Sequence, residues 1–265
     1  MTASDQVSTN RFPVGTFTPR PSAAPIARML VAQASLELRL ILRHGEQLLL
    51  NLFIPITLLI GLCLLPIGDI GESKPGLFVP AIMTVAVMST AFTGQAIAVG
   101  FDRRYGALKR LGATPLPRWG LIAGKQIAVV IVVILQALII GAIGLALGWR
   151  PDVPGLLIGA VAIAVGTFTF AALGLLLGGT LKAEIVLALA NLLWFAMIGI
   201  GSLAVMGHRV PTAAHWIARS VPSGALSEAL HRATAAGTVD WYGFAILAVW
   251  GTLGSAAAVR YFRFS

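Results

Sequence analysis

The sequence predicts an all-α integral membrane protein. It should have six transmembrane helices, both termini on the cytoplasmic side, and an N-terminal amphipathic helix on the membrane surface. Three observations carry this prediction. Of 265 residues, 57% are hydrophobic and only 11% are charged, against about 25% charged in a soluble domain. The mean hydropathy is +0.89. Six runs of 19 to 29 residues contain no Asp, Glu, Lys or Arg, and a charge at mid-bilayer costs about 2.5–3.5 kcal/mol. A soluble chain of this size could not hide so much apolar surface. Soluble enzymes and intrinsically disordered chains are therefore excluded.

Residues 1–24 are polar and rich in Pro, Ser and Thr, with no apolar core of a secretory signal. They are expected to form a disordered cytoplasmic tail. Residue 2 is Thr and the C-terminal end lacks a prenylation cysteine, so no lipid anchor is expected. Residues 25–45 come next as the interfacial helix. At 100° per residue Arg28, Arg39, Arg43 and Glu46 share one side, while Ile26, Leu30, Leu38, Ile41 and Leu42 give apolar cover. Glu37 falls on the opposite side and spoils the pattern.

The transmembrane domain occupies 46–263. The uncharged runs place its spans at about 47–68, 77–100, 121–148, 154–180, 185–206 and 241–260. Each run is near or above the ~20 residues that cross a ~30 Å hydrocarbon core. Trp241, Tyr242 and Tyr261 flank the last and shortest span as interfacial anchors. Pro55 should kink or thin the first. Three glycine pairs, 144/148, 155/159 and 174/178, are spaced for close helix packing. The single Cys63 sits in an apolar run and reports no chemistry.

Orientation follows from the basic residues. With the N-terminus inside, the cytoplasmic segments hold 14 of the 19 Lys and Arg and the other side holds 5. The positive-inside rule therefore selects N-in and C-in. The acidic residues divide five and five, so the whole net charge of +9 lies on one side. In a soluble chain such a charge suggests nucleic acid. Here it is a topology signal, so membrane lipid is an expected partner and nucleic acid is not.

No catalytic centre is visible. The nearest approach to a phosphate-binding loop, Gly124-Lys125-Gln126, has Trp119 where the first Gly belongs and Gln where Ser or Thr belongs. His44, His208, His215 and His231 lie at or outside span edges without metal-ligand spacing, so no metal is expected. No aspartate pair and no mid-span acid appears, which weakens a membrane-embedded enzyme and an ion-coupled secondary transporter, the two alternatives. Asn51, Thr57, Thr90, Thr93, Gln95, Gln136, Thr167, Thr169 and Asn191 are uncharged polar residues within spans. They suit interhelical hydrogen bonds or a path.

The loop 101–118 is the most informative stretch. A short helix is expected over 102–111, with Asp102 at its start and Lys109 and Arg110 at its end to suit the helix dipole. Gly112 should stop it, and Pro115 and Pro117 prevent continuation. Tyr105, Leu108 and Leu111 fall at i, i+3, i+6. Such a capped helix with an apolar stripe suits docking into another protein.

Asp102-Arg103-Arg104, Gly106, Leu108-Lys109-Arg110-Leu111 and Thr114-Pro115-Leu116-Pro117 resemble the cytoplasmic loop of ABC-2 type export permeases. The daunorubicin (drug-resistance) branch is the most similar, although the acidic position there is more often Glu. The resemblance implies a type V exporter-like fold and a coupling loop that seats in a separate ATPase. Asp102, Arg103, Arg104, Tyr105, Leu108, Lys109, Arg110, Leu111, Thr114, Pro115 and Leu116 would make that contact. It further implies two ATPase subunits, which bind ATP and Mg, so that this chain needs no cofactor. A second copy or a related permease would complete the pathway in the plasma membrane. Thr90, Thr93, Gln95, Asn191, Trp194 and Phe195 are the pathway candidates. The cargo would be a drug, lipid or glycolipid. The external segment 207–240 resembles re-entrant helices that cap the exit, with Ser223 as an N-cap.

Overall fold

The computed structural model describes residues 24–43, 45–66, 73–206 and 210–262. The expected tail falls almost wholly outside them. Every regular element among the described residues is helical.

Helix α1 (Ile26–Arg43) is followed by α2 (Gly45–Leu64), which continues through Pro55. A continuous helical rod then runs from Lys74 to Arg104. Its parts are α3 (Lys74–Val87), a π-helical segment (Met88–Gly94) and α4 (Gln95–Arg104). The short α5 (Ala107–Gly112) leads to α6 (Arg118–Ala146), α7 (Val153–Thr180) and α8 (Ala183–Val205). Two shorter helices, α9 (Thr212–Arg219) and α10 (Pro222–Ala236), precede α11 (Trp241–Tyr261). Among the described residues five helices are long and apolar enough to cross a membrane: the 74–104 rod, α6, α7, α8 and α11. Within α2 the apolar part is the shorter Asn51–Leu64.

Helix α7 is the central post. It packs against α4, the π-helical segment, α10 and α11. Its buried stripe is built from small residues, among them Gly155, Gly159, Ala162, Gly166, Ala171, Gly174 and Gly178. Lipid tails are as apolar as the side chains, so membrane helices gain by close backbone approach rather than by hiding hydrocarbon. A Cβ at Gly174 would lie 2.7 Å from the Phe92 carbonyl oxygen and 3.0 Å from that of Ala91. Both carbonyls belong to the wide π turns, so the glycine makes room for them. Gly144 receives Val79 in the same way, at 2.7 Å. Its expected companion Gly148 does not pack: it lies past the end of α6 with φ +97°, turning the chain.

Buried polar residues tie spans together. Thr90 Oγ1 donates to Gln136 Oε1 at 2.9 Å, and Gln136 Nε2 donates to the Asn51 carbonyl at 3.2 Å. The rod, α6 and α2 are thus joined by one side chain. Thr169 Oγ1 donates to the Leu247 carbonyl at 2.9 Å, linking α7 to α11.

Helix α10 is buried on nearly every side, from Pro222 to Leu230. Its 15 residues span about 22 Å, too short for a ~30 Å core. It is wedged among α3, α7, α8 and α11. Its N-cap is Val221, with Pro222 at the first helical position. The expected N-cap role of Ser223 is therefore corrected: it lies one residue inside the helix, where its hydroxyl has no hydrogen-bond partner among the described residues. Proline, lacking an N–H, suits the first helical position better.

Candidate functional site

One end of the bundle gathers the loop 101–118, α1, the α7–α8 turn and the end of α11. The expected single helix over 102–111 is instead two pieces. Helix α4 carries Asp102, Arg103 and Arg104, and Gly106 then adopts φ +72° before α5 begins. A residue with φ in this range cannot continue a right-handed helix. The break separates Tyr105 from Leu108. Tyr105 is 72% exposed, whereas Leu108 is fully buried against Val99, Leu121, Leu175 and Phe262. Leu111 and Leu116 pack on the same cluster. Lys109, Arg110, Thr114 and Pro115 are exposed. The loop thus has an apolar root and a polar, basic outer face with one exposed aromatic ring.

Three consecutive residues anchor that root to three different elements. Asp102 Oδ2 accepts from Lys125 Nζ of α6 at 3.0 Å. Arg103 Nη1 donates to the carbonyls of Gly178 and Leu181 at 3.2 and 3.0 Å, at the end of α7. There it meets unpaired backbone acceptors and the negative end of the helix dipole. Arg104 pairs with Glu184 of α8 at 2.6 Å, on the surface.

Lys125 is the residue that sequence reasoning missed. It lies two turns inside α6, and its side chain is 4% exposed. A buried ammonium needs compensation. Besides Asp102 it donates to Glu37 Oε2 of α1 at 2.8 Å. Gln33 Nε2 holds the other Glu37 oxygen at 2.8 Å. Glu37, out of phase with the polar side of α1, is out of phase because it faces the protein. That misfit was the signal available in the sequence.

The six pathway candidates divide between the 74–104 rod and α8. Thr90 is occupied with Gln136. Thr93 Oγ1, Gln95 Nε2 and Trp194 Nε1 are buried without a hydrogen-bond partner among the described residues. Asn191 is exposed and donates to the Leu187 carbonyl at 2.7 Å. Phe195 is exposed and meets the Trp194 ring edge-on at 4.9 Å. Nearer the opposite end, a cavity of about 370 Å³ opens between α3, α8 and α10. Phe78, Thr84, Met88, Ser202, Ser227 and His231 help line it, and none of the six candidates does.

At that opposite end Arg219 and Asp240 form a buried ion pair at 2.5 Å. The guanidinium lies 4.9 Å from the Tyr242 ring centre and 5.3 Å from that of Trp216. This pins α9 to the start of α11. Among the described residues no group of three or more His, Cys, Asp or Glu could hold a metal.

Long apolar helices packed through glycines, with a shorter buried helix wedged among them, define a multi-pass membrane protein. The chain belongs to the ABC-2 family of transporter proteins, whose family model matches residues 48–260. It is thus a permease component of an ABC transporter, a membrane part that is generally non-catalytic and associates with ABC ATPase subunits. No curated protein matches it.

Proposed function

We propose that this chain is the six-span permease of an ABC exporter in the plasma membrane, with both termini cytoplasmic. Helix α2 serves as the first span. Two such permeases, identical or related, enclose the pathway, and two ATPase subunits beneath them bind ATP and Mg. The cargo is an amphipathic or hydrophobic compound, such as a drug, lipid or glycolipid, as in the daunorubicin-type branch.

The observation that carries this reading is the build of the 101–118 loop. Its root is locked to α6, α7 and α8, while Tyr105, Lys109, Arg110, Thr114 and Pro115 are exposed. A rigid root with an exposed basic tip is what a force-transmitting contact requires. Leu108, Leu111 and Leu116 hold the tip rather than touch the ATPase. For the pathway, the support is three buried polar groups, on Thr93, Gln95 and Trp194, that have no hydrogen-bond partner among the described residues. A buried donor or acceptor left without a partner is costly, and a passing substrate or water would relieve that cost.

Arg110→Glu tests the reading. The variant should insert and fold normally yet capture at least tenfold less nucleotide-binding subunit than the wild type. Undiminished capture, or a wild-type chain that purifies with no ATPase, would reject it.

A further inference from the structure

We propose that Glu37 and Lys125 are positioning residues: the cluster Glu37–Lys125–Asp102, built around the buried Lys125 ammonium, fastens α1 to the root of the 101–118 loop. The two then move as one body. This rests on reading that loop as the contact with the ATPase.

The geometry is specific. A lysine that only marked a membrane boundary would extend its ammonium to water. Lys125 instead points inward to two carboxylates from different elements, at 2.8 and 3.0 Å. Its partners lie 88 and 23 residues away in the chain. On the α1 side the Gln33 side chain lies directly against the Gly124 backbone. A Cβ at Gly124 would come within 2.5 Å of Gln33 Cγ, so only glycine lets α1 seat this closely on α6.

The apolar attachment of α1 along α6 is partial: Met29, Leu30, Leu38 and Ile41 are half-buried, Ile41 against the main core. The buried residues of α1 are Gln33, Ala34 and Glu37, one short stripe, while Val31, Leu36, Leu40 and Leu42 are exposed. The helix is therefore held by a charged, directional contact set within a partly apolar seam along α6. Such a contact fixes position and register. Helix α1 also precedes the residues that the family model matches, 48–260. The consequence is mechanical. A push on the loop moves Asp102, Asp102 carries Lys125, and Lys125 carries α1 along the membrane surface.

Replacing Lys125 would strand two carboxylates, so Glu37→Ala is the cleaner cut. It cuts the charged link to α1 and leaves the Lys125–Asp102 pair in place. The first measurement uses the full chain in lipid nanodiscs, with Cys63→Ala and spin labels at Arg39→Cys and Lys109→Cys. Pulsed EPR should give one narrow distance in the wild-type background and at least a twofold broader distribution with Glu37→Ala. Glu37→Gln, which keeps a hydrogen-bonding group, should fall between. An unchanged width with Glu37→Ala overturns the fastening.

The second measurement uses the complex with its nucleotide-binding subunits. Glu37→Ala should lower ATP hydrolysis at least fivefold. Glu37→Gln, which keeps a hydrogen-bonding group for Lys125, should restore it to within twofold of the wild type. Glu37→Gln as inactive as Glu37→Ala, or Glu37→Ala with full activity, overturns the transmission role. If no nucleotide-binding subunit binds, the function proposed above fails and the transmission role fails with it. The EPR widths still decide the fastening independently.

Discussion

At Gly178 a single added carbon would collide with the Ala96 carbonyl oxygen and come within 3.0 Å of Val99 Cβ. The obstacle is backbone, which cannot swing away as a side chain can. Gly61 on α2 is different, since a Cβ there meets nothing within 4 Å. Both glycines lie inside apolar runs, but only Gly178 has a glycine four residues away, the spacing of close helix packing. Their substitutions should differ in sign. Gly178→Ala should destabilise by about 1–3 kcal/mol through overpacking. Gly61→Ala should be neutral or stabilise by up to about 1 kcal/mol, because alanine is the better helix former. Thermal unfolding of the purified chain in one detergent reads both. A lower Tm for Gly61→Ala, or an unchanged one for Gly178→Ala, contradicts the packing described. Sequence reading meets its limit at Lys125 and Glu37. Charge-free runs locate spans because a charge in lipid is costly. A charge buried against a partner 88 residues away escapes that logic, since pairing removes the cost.

Among the elements, the root of the 101–118 loop shows most clearly what local pattern can and cannot give. Its stopping signals were readable: α5 ends at Gly112 and α6 begins at Arg118, after Pro117. Its internal break was not, because an isolated glycine in a helical pattern is ambiguous. Gly106 resolves the ambiguity by taking φ +72°, and this turns Leu108 into the core while Tyr105 stays outside. A Cβ there would meet nothing within 4 Å, so the cost of substitution is wholly backbone strain. Gly106→Ala should cost about 1–2 kcal/mol, and Gly106→Asn less, since asparagine tolerates the left-handed region. Hydrogen exchange over residues 101–113 checks this. The ranking Gly, Asn, Ala in protection is expected, and equal protection in all three would contradict the strained turn. Helix α10 makes a complementary point. Its Ser, Glu, His and Arg residues leave no apolar run long enough for a span, yet it is buried among four helices. The Glu228–Arg232 pair at 2.6 Å lets a polar sequence enter that space.

For the molecule as a whole, the contacts sort the charged residues by end. Arg103 and Arg104 reach the α7–α8 turn, and Phe262 packs with Leu108. These place the loop, that turn and the end of α11 together. Asp152 beside Gly237, and Arg219 with Asp240, mark the opposite end. The surface between is apolar: Leu138, Leu157, Leu192, Phe195 and Leu253 are all exposed, as a lipid-facing belt requires. Trp241 and Tyr261, both exposed, stand at the two ends of α11. The bundle itself therefore has two distinguishable ends, and the charge count supports the proposed orientation, with the loop end toward the cytoplasm. With the loop end inside, 14 basic residues stay in and 5 cross. The inverted arrangement would move the larger set across against the membrane potential, at about 2.3 kcal/mol per charge per 100 mV. Impermeant maleimide on intact cells tests this in a Cys63→Ala background, where no native thiol remains. Arg150→Cys, exposed at the α6–α7 turn, should label in intact cells. Lys109→Cys, exposed on the loop, should label only after lysis. The reverse pattern would place the loop outside, out of reach of any cytoplasmic ATPase, and the coupling role proposed for it would fall with the orientation.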